Sequence, residues 1–159
     1  MSTPPAPRPD LRNPVHVLAF GFGAGLSPAA PGTAGSAVGI LIYLFLAPLP
    51  LPVYIGVCGL LFLAGVWICG KTSRDLRVHD HGGIVFDEIV GMLFVMIAIP
   101  PDWPWVVGGF VLFRLFDVLK PWPIGWLERR VRGGIGIMLD DLLAGLAALA
   151  LLQLAYRLF

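Results

Sequence analysis

The chain has 159 residues, 57% of them hydrophobic and 13% charged, with a formal net charge of +1. Soluble domains run at about 45–50% apolar and about 25% charged, so this composition, with a mean hydropathy of +0.84, excludes an ordinary soluble enzyme and indicates an integral membrane protein. Near-neutrality, without a basic stripe interleaved with aromatics, gives no ground for a nucleic-acid partner.

Residues 1–14 (MSTPPAPRPDLRNP) are Pro-rich and polar and read as a disordered tail, leaving 15–159 as one domain. The stretch 15–35, VHVLAFGFGAGLSPAAPGTAG, is glycine-rich. Such a loop can cradle a phosphate with converging N–H groups, Gly25, Ser27, Gly32 and Thr33 being the candidates, or it can let helices pack closely. Residues 36–49 are apolar but short for a crossing, so a re-entrant or interfacial helix is the alternative there. Residues 51–70 hold twenty residues without a charge, the length of a spanning helix. Cys58 and Cys69 in this run show no metal-ligand spacing and read as buried apolar residues.

A basic connection, KTSRDLRVHDH, precedes a third apolar run at 85–100, which opens on the adjacent acids Asp87 and Glu88. A fourth, 104–119, carries Arg114 and Asp117 three residues apart, on one helix face, and stops at Lys120-Pro121-Trp122-Pro123. Residues 124–132 are amphipathic and basic, suited to a membrane surface. The fifth run, 138–158, follows Gly133, Gly134 and Gly136, and a second acidic pair, Asp140 and Asp141, stands at its mouth. Adjacent acids at a helix start are also what a helix dipole favours, so the pair alone decides little.

The fold expected is all-α, a membrane-embedded bundle of about four to five apolar helices. Arg8 and Arg12, then Lys71, Arg74 and Arg77, then Lys120, Arg129, Arg130 and Arg132 fall on alternate connections, while the connections around residues 48–52 and 100–104 hold no Lys or Arg. The positive-inside rule then puts the N-terminus, the glycine loop and all the acidic clusters at the cytoplasmic edge. Ionisable groups at that depth are paired or functional. Asp87, Glu88, Asp117, Asp140 and Asp141 make an oxygen-rich set fit for Mg²⁺, and Arg114 and Lys120 can neutralise a phosphate beside it. Interhelical ion pairing without chemistry is the competing account. His79 and His81 read as polar loop residues, with proton donation as the alternative.

Three strings, FGAGLSPAAPGTAGSAVG at 22–39, VHDHGGIVFDEIVG at 78–91 and FRLFDVLKPWPIGWLERRVRGGIGIMLDDLLAG at 113–145, resemble the phosphatidylglycerophosphatase A family. The resemblance implies Mg²⁺-dependent hydrolysis of phosphatidylglycerophosphate to phosphatidylglycerol and phosphate in the bacterial inner membrane. It places motif positions on Asp80, Asp87, Glu88, Arg114, Asp117, Lys120, Asp140 and Asp141. Ala29 departs from it, since some relatives carry lysine there. The resulting expectation is a catalytic set of Asp80, Arg114, Lys120 and Asp141, and metal ligands among Asp87, Glu88, Asp117, Asp140 and Asp141. The phospholipid and the membrane are the expected partners, with the site facing the cytoplasm. A CDP-alcohol-type phosphotransferase would show a DGxxAR-type motif, absent here. A small transporter using buried carboxylates would place them near mid-bilayer and often show a repeat.

Overall fold

The computed structural model describes residues 8–159, in which seven α-helices occur and no strand. They are α1 (Pro14–Ala19), α2 (Pro31–Leu46), α3 (Leu51–Asp75), α4 (Phe86–Val95), α5 (Trp103–Leu119), α6 (Ile124–Glu128) and α7 (Gly133–Leu158), with a kinked 3-10 turn at Gly21–Leu26. Of the expected tail, residues 1–7 lie outside the described residues. Residues 8–13 lead into α1, which Asn13 caps by accepting the Val15 N–H.

The short helix α4 is the centre of the bundle. Eight of its ten residues are buried, and α2, α3, α5 and α7 all pack on it. At 1.5 Å per residue it is about 15 Å long, half the hydrocarbon thickness of a bilayer. The expected crossing at 85–100 is therefore wrong: the run is apolar because it is interior to the protein. Among the described residues two helices, α3 and α7, are long and apolar enough to cross a membrane, fewer than the four to five expected. The helix α2 is apolar but has 16 residues, running Pro31–Leu46 where 36–49 was expected. Pro31 at its start sets the earlier boundary.

Small residues set how closely the helices cross. A Cβ on Gly145 of α7 would stand 2.7 Å from the Gly91 carbonyl oxygen of α4, so the two backbones touch at this glycine pair. Asp141 lies four residues before Gly145 and Asp87 four before Gly91, so the crossing holds both acids one turn from the contact. Likewise Gly134 packs on α3 at Val66 and Gly70. The glycines at 133–136 are thus inside α7, whose helix starts five residues before the expected 138.

Away from the acids, Tyr43 and Tyr54 are buried with Met92, Leu93 and Met96. Their hydroxyls donate to the carbonyls of Ile99 (2.8 Å) and Leu93 (2.7 Å), satisfying backbone acceptors around the end of α4. A second cluster, including Phe20, Cys69, Phe86, Val90 and Met138, packs elsewhere along α4.

Candidate active site

The first turn of α4 carries Asp87 and Glu88, with no side chain capping the helix. Asp141 reaches them from α7, where it sits more than two turns inside the helix rather than in its first turn. The dipole of that helix start therefore does not explain the acid. One carboxylate oxygen from each of Asp87, Glu88 and Asp141 lies within 4.8 Å of the others. Asp87 and Asp141 are 7% and 3% exposed, and Asp87 Oδ1, Glu88 Oε2 and Asp141 Oδ2 are buried without a hydrogen-bond partner among the described residues.

A buried carboxylate oxygen without a donor is costly, and three of them together also repel. A bound cation cancels both penalties. The donors are all hard oxygens, without imidazole or thiolate, which matches Mg²⁺, Mn²⁺ or Ca²⁺ and disfavours a soft metal. The orphaned oxygens thus fit a divalent ion.

Two further elements close on this cluster. Arg114 of α5 is bonded to Asp117 one turn on, and both side chains are largely buried. A Cβ on Gly32 would stand 2.5 Å from Glu88 Oε1 and 3.0 Å from both terminal nitrogens of Arg114. The start of α2 therefore abuts Glu88 and the guanidinium, and a side chain at Gly32 would push their ends aside. That start has Pro31 and no capping side chain, leaving the Gly32 and Thr33 N–H groups without intrahelical acceptors. Free N–H groups at a helix start favour anions.

Other expected site residues are placed differently. Gly25 packs on the backbone of Gly83, a close approach that any side chain would block. Ser27 ends the 3-10 turn, half-buried, and Thr33 is exposed on α2. Lys120 caps α5 in a left-handed conformation and donates to Glu128 Oε1 (2.5 Å) and Asp140 Oδ2 (2.9 Å). Burial alone would lower its pKa, but the bonds to Asp140 and Glu128 outweigh that and hold it above the ordinary lysine value. Lys120 is therefore charged and already committed to two acids. Asp140 belongs to this pairing and stands apart from the three-acid cluster, while Asp80 is exposed on the loop before α4.

Glu128 was not a site candidate, because it lies in a basic stretch that reads as membrane surface. The histidines hold the loop: His79 Nε2 accepts from the Gly133 N–H (3.1 Å) and His81 Nδ1 from the Gly83 N–H (3.0 Å).

Comparison with known proteins agrees with the strings noted above. The family model of Phosphatidylglycerophosphatase A matches residues 17–156. The chain is 48% identical over 143 residues to Phosphatidylglycerophosphatase A of Escherichia coli (strain K12), covering 89% of this chain and 83% of that protein. It is 47% identical over 146 residues to Phosphatidylglycerophosphatase A of Haemophilus influenzae, covering 91% and 90%. No solved structure matches the chain.

Proposed function

The chain belongs to the phosphatidylglycerophosphatase A family, and from that premise we propose that it is a Mg²⁺-dependent phosphatase that hydrolyses phosphatidylglycerophosphate to phosphatidylglycerol and phosphate in phospholipid biosynthesis. The observation that supports this reading best is the convergence of Asp87, Glu88 and Asp141, each with an orphaned oxygen, beside Arg114 and the bare start of α2.

Asp87, Glu88 and Asp141 hold the cation in this reading. When bound, it neutralises phosphate oxygens and so stabilises the charge of phosphoryl transfer. Arg114, steered by Asp117, pairs with an oxygen of the terminal phosphate, and the Gly32 and Thr33 N–H groups donate to another. Water attacks phosphorus in line, the bond from phosphorus to the glycerol oxygen breaks, and the proton that water gives up is balanced by the one that oxygen takes up. Lys120 acts from a distance, keeping Asp140 and Glu128 neutralised.

The same reading places the protein in the bacterial inner membrane with the site facing the cytoplasm. It is supported by α3 and α7 and by apolar side chains left on the outside, among them Leu60, Leu63 and Trp67 of α3 and Val107, Val111 and Leu115 of α5. Among the residues that carry the positive-inside bias, Lys120 bonds Asp140 and Arg129 lines a cavity with it. Neither a phosphotransferase nor a transporter is favoured by the relatives.

The test is phosphate release from phosphatidylglycerophosphate by the purified protein in detergent micelles, with Mg²⁺ and with excess EDTA. The expected result is release with Mg²⁺ and none with EDTA, restored on adding the ion back. Undiminished release in EDTA contradicts the metal assignment, and no release under any condition contradicts the activity.

A further inference from the structure

Asp140 and Asp141 are consecutive on α7, so their side chains leave the helix about 100° apart. Asp141 joins the three-acid cluster. Asp140 instead lines a cavity of about 470 Å³ that the other readings leave without a role. Its wall also includes His79, Asp80, Glu128, Arg129 and Val131.

The charges of this cavity differ from those of the cluster. Lys120 already bridges Glu128 and Asp140, which removes two of the three carboxylates as free anions. His79 uses Nε2 as an acceptor, so its neutral ring carries the proton on Nδ1. Among the described residues neither Arg129 nor Asp80 forms an ion pair, and both are exposed to the space. One free guanidinium and one free carboxylate suit a ligand with an anionic phosphodiester next to a hydroxyl. Arginine's fork matches two phosphate oxygens, and a carboxylate accepts from the hydroxyl.

We propose that this cavity is a second subsite, which binds the part of the headgroup beyond the scissile phosphate. Arg129 pairs with the phosphodiester, and Asp80 accepts from the hydroxyl of the polyol between the two phosphates. The proposal rests on the substrate reading above. In phosphatidylglycerophosphate a three-carbon glycerol with one free hydroxyl separates a terminal phosphomonoester from a phosphodiester. Neighbouring residues of one helix thus present the two compartments that such a ligand has to span. Arg129 becomes a specificity-determining residue, unused by a lipid phosphomonoester that lacks the diester.

The experiment measures binding of glycerophosphoglycerol, which has the diester and hydroxyls but no terminal phosphate, by phosphorus NMR line broadening on the detergent-solubilised full chain. Wild type, Arg129→Ala and Arg129→Lys are compared, with inorganic phosphate as the second ligand. Arg129 is exposed, and the melting temperature of each variant is recorded beside the titration. Arg129→Ala is expected to weaken glycerophosphoglycerol about tenfold, Arg129→Lys to recover part of it, and inorganic phosphate to be unaffected. In turnover, Arg129→Ala is expected to raise KM for phosphatidylglycerophosphate with kcat little changed. The subsite is overturned if wild type does not bind glycerophosphoglycerol, if Arg129→Ala binds it equally well, or if both ligands weaken together. Absence of turnover with Arg129-dependent binding intact would instead overturn the activity and leave the subsite standing.

Discussion

Two acidic groupings sit side by side on α7 and have opposite characters. Asp140 has a cationic partner: Lys120 donates to it and to Glu128. Around Asp141 the acids Asp87 and Glu88 face one another, and each of the three has an oxygen with no donor. Ion pairing accounts for the first grouping, which contributes to the fold. The second is an arrangement that folding alone does not favour, so its stability depends on something bound there. Adjacent identical residues thus have different jobs, decided by which neighbour faces them.

The largest effect expected from this contrast is on turnover. Asp141→Asn and Asp87→Asn should each lower kcat at least about a thousandfold, measured as phosphate release at saturating Mg²⁺. Without divalent ion, both should melt no lower than wild type, because each removes a repelling buried charge. A variant that keeps wild-type turnover takes its residue out of the site.

Next comes Gly32→Ala. The added methyl would press on Glu88 and Arg114, whose ends shift by a few tenths of an ångström or more. Turnover should fall about 10- to 100-fold with the melting temperature nearly unchanged. A variant that unfolds instead would mean that Gly32 serves packing alone.

The smallest effect should come from the paired grouping. Lys120→Met leaves Asp140 and Glu128 without their donor and should cost about 1–2 kcal/mol, read from the shift in thermal midpoint, because the lysine is partly solvent-screened. Its turnover should fall far less than that of Asp141→Asn. A loss as large as that of Asp141→Asn would show Lys120 at the phosphate, as the sequence had suggested.

Both acidic pairs were legible in the sequence, because charge inside an apolar run stands out sharply. Which member of a pair turns inward was not legible. That choice is a 100° rotation about the helix, settled by the Gly91–Gly145 contact between segments over fifty residues apart. The start of α7 was misplaced for a related reason. Gly133, Gly134 and Gly136 resemble a turn locally, yet Gly134 is there to let α7 meet α3. Glu128 was missed because its partner lies across the reversal at Pro121–Pro123, which no local pattern reveals. The number of crossings was overestimated since hydropathy does not distinguish a residue facing lipid from one facing protein. The helix α4 is the clearest case, apolar from Ile89 onward yet buried by its neighbours.

The most direct test of the contrast is binding of Mn²⁺, as a spectroscopic substitute for Mg²⁺, followed by electron paramagnetic resonance on wild type, Asp141→Asn and Asp140→Asn. Wild type and Asp140→Asn should bind one ion with similar affinity, and Asp141→Asn should lose it. Retention by Asp141→Asn with loss by Asp140→Asn would contradict the account.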